Sequence, residues 1–163
     1  MLPKRLFGDN IKMVIKLRIL VDADACPVRH IAERLAKEFK IEIIFFTDTN
    51  HVLKSDYAEI ITVGQGKDAV DLALINQTVF EDIVVTQDYG VAAMALSKNA
   101  HAIGNSGLIY TNENIDKLLF ERFLSGKVRR AGRKGGKTHN PSKRTEEQDE
   151  VFEINLRKLL SFN

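Results

Sequence analysis

The 163-residue sequence has one cysteine, no tryptophan and three prolines. A single cysteine excludes an internal disulfide, which predicts a reducing compartment such as the cytoplasm. The longest uninterrupted apolar runs are short, as in Ile43–Phe46 and Val91–Leu96, whereas a bilayer-spanning helix needs about 20 apolar residues. We therefore expect no transmembrane segment and no membrane partner.

The N-terminus lacks the continuous apolar core of a signal peptide before Asp9. We expect residues 1–12 to form a flexible extension, with Met13 as an alternative start, and residues 13–163 to form a single domain. A folded chain of this size buries about two-thirds of its surface, so it needs neither a disulfide nor a metal merely to fold. With 44% hydrophobic and 28% charged residues, whole-chain disorder is excluded.

Positive charge is concentrated near the C-terminus. The net charge is only +2, yet nine Lys or Arg residues and no acid lie between Arg122 and Arg144. Four glycines fall within Gly126–Asn140, so residues 126–144 are predicted to form a mobile basic loop. Segregated cations indicate polyanion binding, although a solvated loop can have the same composition. The predicted nucleic-acid contacts are Lys127, Arg129, Arg130, Arg133, Lys134, Lys137, Lys143 and Arg144.

Short apolar runs alternate with helical patterns through the first 105 residues. The expected strands are 17–21, 41–46, 59–63, 83–86 and 100–103. This alternation predicts a three-layer α/β/α fold with a central, mainly parallel sheet of about five strands. Leu72, Ile75 and Val79 are expected on the buried side of a helix over 68–78. Two further helices are expected after Thr111 and Thr145, which have the character of N-caps.

Acidic side chains follow three of these strands. Asp22 and Asp24 follow the first, Asp68 and Asp71 follow the third and open a helix, and Asp88 follows the fourth. Ligands of open α/β sheets bind beyond the carboxyl ends of the strands. We therefore expect these five carboxylates to share one rim of the sheet.

Asp71 carries the most information in this set. It precedes Leu74 and Ile75 by three and four residues, which places it on an apolar helix face, where an unpaired charge is very costly. No Lys or Arg occurs in the VDADACP, DAVDLAL or VTQDYG segments, so a hard divalent cation is the expected partner. The predicted ligands of Mg²⁺ or Mn²⁺ are Asp22, Asp24, Asp68, Asp71 and Asp88. Asp24, Asp68 and Asp88 are each also interpretable as helix N-caps.

Two other motifs allow different chemistry. Asp22-Ala23-Asp24 after a strand is similar to haloacid-dehalogenase-type phosphatases, although the hydroxyl residue expected two positions later is replaced by Cys26. Residues 64–69 fit a loose GxGxxA dinucleotide pattern, but Asp68 would set a negative charge beside the pyrophosphate.

Three nearby residues are given structural interpretations. Cys26 lies near a helix N-terminus, where a thiolate is favoured, but a small buried residue is the preferred interpretation. Asp48 follows the second strand and is expected to lie farther out than the other acids. His51 is expected to be a surface-loop histidine, with phosphate contact or acid catalysis as the alternative.

Four segments resemble the bacterial YaiI/YqxD family over about residues 17–160. They are VDADACPV at 21–28, GKDAVDLALIN at 66–76, VTQDYGVAAMAL at 85–96 and the RRAGRKGGKTHNPSKRTEEQDEVF tail. That family is similar to PIN-like and NYN-type nucleases, which implies a PIN-like fold and a metal-dependent ribonuclease-like site. The resemblance implies catalytic roles for Asp22, Asp71 and Asp88. Many nuclease relatives carry a further acid where this sequence has Gly90.

Three functions are therefore predicted. The first is a divalent-metal-dependent nuclease acting on RNA, with Asp22, Asp71 and Asp88 as its catalytic residues and the basic segment holding the backbone. The second is a non-catalytic nucleic-acid or ribonucleoprotein binding module. The third is a small-molecule phosphohydrolase that uses Asp22 and Asp24.

Overall fold

The computed structural model describes residues 15–131 and 143–162. The predicted extension over residues 1–12 lies outside the described residues, as does most of the predicted basic loop. No helix in the described part of the chain is both long and apolar enough to cross a membrane.

Six strands and five helices follow one another within the described residues. They are β1 (Arg18–Asp22), α1 (Arg29–Phe39), β2 (Glu42–Asp48), β3 (Glu59–Val63), α2 (Lys67–Gln77), β4 (Ile83–Val85), α3 (Tyr89–Ser97), β5 (His101–Ile103), β6 (Ile109–Tyr110), α4 (Asn112–Arg130) and α5 (Glu146–Ser161).

The strands form one sheet in the order β3-β2-β1-β4-β5-β6. The first five are parallel, and β6 pairs antiparallel with β5. The predicted α/β class and mainly parallel sheet are confirmed. β6 was not predicted, because a two-residue strand is too short to show a periodic pattern. β1 lies between β2 and β4, so the chain segments that follow β1 and β4 lead to opposite sides of the sheet. This divergence leaves a crevice at the carboxyl ends of the two strands.

Helices cover both faces of the sheet. Ile19 and Val21 pack in a core with α1 and α5, while Leu20 packs in a second core with α2, α3 and α4. Phe45 and Phe46 are likewise divided between the two cores. Both faces of each central strand are therefore buried, which explains their continuous apolar sequences.

The buried face of α2 differs from the predicted one. Leu72 and Val79 are exposed, and the buried side chains are Val70, Leu74 and Ile75. Val70 and Leu74 are four residues apart and share a face, whereas Leu72 lies two residues from each and points away.

The two C-terminal helices begin where predicted, but the basic loop does not. Thr111 and Thr145 cap α4 and α5, each in a reciprocal capping box. However, α4 continues to Arg130, so residues 126–130 are helical. Gly126 alone was insufficient to end a helix whose neighbouring residues favour one.

Candidate functional site

A cavity of about 330 Å³ opens at the carboxyl ends of β1, β2 and β4, at the crevice that the strand order creates. Four of its lining residues are acids, three are other polar residues and two are apolar. The lining consists of Asp22, Asp24, Ala25, Asp48, His51, Val70, Gln87, Asp88 and Asn105.

The carboxylate of Asp24 is held by the end of β2. Its Oδ1 accepts a hydrogen bond from the hydroxyl of Thr47 at 2.5 Å, and its Oδ2 accepts one from the backbone N–H of Asp48 at 3.1 Å. The N-cap of α1 is Val28, which makes no side-chain cap bond. The interpretation of Asp24 as a helix cap is therefore wrong, because its oxygens are directed across to the neighbouring strand.

Asp48 is the last residue of β2, and a tight turn connects it to His51. Asp48 Oδ1 accepts a hydrogen bond from the backbone N–H of Asn50 at 2.8 Å, as in an Asx-turn. His51 Nδ1 lies 2.8 Å from Asp48 Oδ1 and 3.3 Å from Asp24 Oδ1. The prediction that Asp48 lies farther out is wrong, since it is buried and lines the cavity.

The charges in this turn influence one another. The hydrogen bond to Asp48 and the negative charge of Asp24 raise the pKa of His51. The same bond with His51, together with the Asn50 backbone N–H, lowers the pKa of Asp48. His51 therefore holds a proton more readily than a free histidine, and that proton partly balances the two acids.

The Asp24, Asp48 and His51 side chains are the part of the cavity that best fits a metal ion. One oxygen from each acid and one imidazole nitrogen all lie within 4.8 Å of one another. Carboxylate oxygens suit Mg²⁺ and Mn²⁺, and the imidazole favours the transition metal of the two.

Asp88 lines the cavity and also caps a helix. Its Oδ1 accepts hydrogen bonds from the backbone N–H groups of Gly90 at 2.8 Å and Val91 at 3.2 Å. The cap interpretation is confirmed for this residue. Asp22, the half-buried last residue of β1, lines the same cavity.

The two predicted ligands on α2 are placed differently. Asp71 is half-buried on the same helix face as Leu74 and Ile75, its Oδ1 atom is buried, and the adjacent Val70 lines the cavity. Asp68 is exposed in the first turn of α2 and does not line the cavity. It is not the N-cap either, because Gly66 takes that position.

Cys26 is half-buried, so it is less buried than the preferred interpretation expected. Its thiol donates to Asn105 Oδ1 at 3.7 Å, and burial raises its pKa to about 11. A raised pKa favours the neutral thiol over the thiolate at neutral pH.

The described basic residues fall into two groups. Lys127, Arg129 and Arg130 are exposed on the last turns of α4, and Lys143 is also exposed. Arg144 instead donates to the backbone carbonyl of Asn105 at 2.6 Å and forms an ion pair with Asp149. Arg133, Lys134 and Lys137 lie outside the described residues.

A second cavity adjoins the first. It is lined by Gln87, Tyr89, Leu118, Glu121, Arg122 and Ser125. Gln87 lines both cavities, and the guanidinium of Arg122 lies 5.8 Å from the ring centre of Tyr89. A cation and an aromatic ring therefore stand next to the acidic cavity.

The predicted metal ligands did not include Asp48 or His51. The preferred interpretation of His51 as a surface-loop histidine agrees with its exposed position. The available signal was the polar run from Asp48 to His51 directly after a fully buried strand. The same carboxyl-end rule that selected Asp22 and Asp88 applies to that strand.

Comparisons with known proteins identify relatives along most of the chain. The DUF188 family model, described as "Uncharacterized BCR, YaiI/YqxD family", matches residues 20–162. A "UPF0178 protein" of Lachnoclostridium phytofermentans is 57% identical over 144 residues, covering 88% of this chain and 97% of the relative. A "UPF0178 protein" of Clostridium kluyveri is 52% identical, covering 88% and 93%. No solved structure gives a significant match.

Proposed function

The chain belongs to the YaiI/YqxD family, and because its relatives' names specify no reaction, we propose from the site itself that it is a divalent-metal-dependent nuclease that hydrolyses phosphodiester bonds in RNA. One observation carries this proposal. Asp22, Asp24, Asp48 and Asp88 come from the ends of three neighbouring strands and line one cavity. A cation is the usual means of keeping several carboxylates ionised at close range.

The donor set fits Mg²⁺ or Mn²⁺. Asp24, Asp48 and His51 would hold the ion, since their ligand atoms are already grouped and held by Thr47 and the backbone of β2. A bound ion of this kind lowers the pKa of a water molecule and stabilises charge on a phosphate.

Asp22 and Asp88 supply the rest of the acidic wall. In the proposal, they accept hydrogen bonds from the attacking water and fix its direction toward phosphorus. The water oxygen would form a new bond to phosphorus as the P–O bond to the leaving oxygen breaks. One proton of the water would pass to the carboxylate of Asp22, and the leaving oxygen would take up a proton from bulk water. Asp71, the third carboxylate that the family resemblance implies, is assigned a supporting role beside Val70, because its own side chain does not line the cavity.

The surroundings of the cavity favour a polynucleotide over a small phosphate ester. Arg122 and Tyr89 line the adjoining cavity, where they can contact the phosphate and base of a flanking nucleotide. Arg129, one helical turn after Ser125, extends the positive charge along the same side of α4. We place this activity in the cytoplasm, where Cys26 stays reduced.

A second function, a non-catalytic nucleic-acid binding module, is favoured by a different observation. The oxygens of Asp24 accept protein hydrogen bonds from Thr47 and Asp48, and Asp88 Oδ1 caps α3. A purely structural network could satisfy these carboxylates in the same way. A binding module would keep the fold and the cations without turnover.

An assay of RNA and DNA cleavage with added Mg²⁺ or Mn²⁺ tests the proposal. We expect the wild-type chain to cleave single-stranded RNA and EDTA to stop cleavage. Asp22→Asn should reduce the rate at least about 100-fold, because a neutral amide cannot orient and deprotonate the attacking water as a carboxylate does. Asp68→Asn is the matched control, because it removes the same charge from an exposed position outside the cavity. Its rate should equal that of the wild type.

The outcomes separate the rival functions. Absence of cleavage above the Asp22→Asn background, with binding that falls steeply as salt rises, would replace the nuclease by the binding module. A phosphoryl group trapped on Asp22 would support the small-molecule phosphohydrolase instead.

A further inference from the structure

Helix α4 exposes an unusual amount of apolar surface. It packs against α3, and Ile115 is its one fully buried side chain, all of α4 being described. Phe120 is 60% exposed, Phe123 51%, Leu124 44% and Leu119 37%. Neighbouring large apolar side chains on one helix face mark an interaction surface more often than a free one.

The sequence of α4 has the spacing of a coiled-coil seam along this face. Alternating steps of three and four residues connect one row of side chains, which therefore lie on the same side of the helix. This seam consists of Glu113, Asp116, Phe120, Phe123, Lys127 and Arg130. It is acidic at its N-terminal end, aromatic in the middle and basic at its C-terminal end.

Such a seam is complementary to itself when it is reversed. In an antiparallel pair centred between residues 121 and 122, Phe120 of one helix faces Phe123 of the other. Asp116 then faces Lys127, and Glu113 faces Arg130. A parallel pair would instead place like charges opposite each other, which is unfavourable.

We propose that this protein forms a two-fold symmetric homodimer in which α4 packs antiparallel against α4 of a second copy. A two-fold axis requires one patch to match itself, and the order of acid, aromatic and cation along α4 meets that requirement. The two ion pairs at each end fix the register, and the four central phenylalanines supply the apolar contact.

The order of charges along the seam favours a second copy over other occupants of this face. A polyanion would be repelled by Glu113 and Asp116, and it would leave the aromatic rings exposed. Lys117, which borders the seam, already pairs with Glu121 of its own helix at 3.9 Å. Lys127 Nζ lies 4.9 Å from the ring centre of Phe123, so a cation and an aromatic ring already contact each other within the seam.

The dimer does not depend on the proposed nuclease activity, and it leaves the cavities accessible. Leu118, Arg122 and Ser125 line the second cavity from the opposite side of α4. Because α4 is only about 28 Å long, the contact is at the small end of specific interfaces. We therefore expect reversible association that depends on protein concentration.

Sedimentation of the full chain over a concentration series tests the proposal. The average mass should rise from one copy to two, and Phe123→Glu should abolish the rise. The matched control is Val52→Glu, which places the same charge at an 86%-exposed apolar site outside α4, in the segment between β2 and β3. That variant should associate as the wild type does, and circular dichroism confirms that each variant is folded.

Exchange of charges tests the antiparallel register itself. Asp116→Lys and Lys127→Asp should each weaken association about tenfold, because each turns two attractions into repulsions. The double variant restores opposite charges at both ends and should recover wild-type association. A wild-type chain that stays monomeric to about 1 mM would overturn the proposal. A dimer insensitive to Phe123→Glu, or a double variant that stays weak, would do the same and indicate another surface.

Discussion

At the residue scale, the site depends on an acid in the loop after β1 that is held in place by hydrogen bonds from the end of β2. Asp24 lies in the loop after β1, yet its hydrogen bonds come from Thr47 and Asp48 at the end of β2. His51 is then brought within 3.3 Å of Asp24 and 2.8 Å of Asp48. The grouping is therefore preorganised by the sheet, which lowers the cost of collecting the ligands around an ion.

This arrangement predicts the effect of single acids on metal affinity. Asp48→Asn should weaken Mn²⁺ binding, measured by calorimetry, about 10- to 100-fold, because a neutral amide replaces a charged ligand. Asp56→Asn is the control, since Asp56 is exposed and pairs only with Lys37 among the described contacts. Equal Mn²⁺ affinity in the two variants would mean that Asp24, Asp48 and His51 do not bind the ion.

At the scale of elements, the loop between β5 and β6 connects α5 to the cavity. Asn105 in this loop lines the cavity and contacts Cys26. The segment leading into α5 supplies Arg144, which donates to the Asn105 carbonyl, and α5 supplies Asn155, which donates to the Gly107 carbonyl at 2.7 Å. The C-terminal helix therefore holds one wall of the site in place, although it carries no cavity-lining residue itself.

Gly107 makes this docking possible. Its φ is +88°, and a Cβ would lie 2.8 Å from the backbone N of Phe152 and the backbone C of Val151. Gly107→Ala should lower the free energy of unfolding by about 2 kcal/mol or more, because the left-handed conformation alone costs about 1–2 kcal/mol and the clash is with helix backbone. Gly64→Ala, at a site with open space, should change stability by less than about 0.5 kcal/mol. Urea denaturation of both variants checks this, and equal midpoints would refute the packing argument.

At the scale of the whole molecule, the sequence predicts the fold better than the site. Alternation of buried strands and helices is a repeated pattern, so the three layers and the parallel direction of the main strands could be inferred from it. Asp71 was expected to face the interior, and it is half-buried. Leu72 and Val79 were wrongly expected to lie on the buried side of the same helix, since both are exposed. Asp48 was expected to lie too far from the other acids. The sequence does not show that Thr47 and the backbone of Asp48 donate hydrogen bonds to Asp24. Such contacts between segments depend on strand register, which a single sequence does not reveal.

The two adjoining cavities make a prediction about how the whole molecule binds a polynucleotide. Arg122→Gln should weaken binding of single-stranded RNA, because Arg122 lines the cavity next to the acidic one and one phosphate contact is lost. Losing one such contact should reduce the slope of log affinity against log salt by about 0.7, measured by fluorescence anisotropy in EDTA so that no cleavage occurs. Lys158→Gln is the control, since Lys158 is exposed on α5, which packs on the other face of the sheet. If both variants keep the wild-type slope, the RNA does not contact Arg122 in the second cavity.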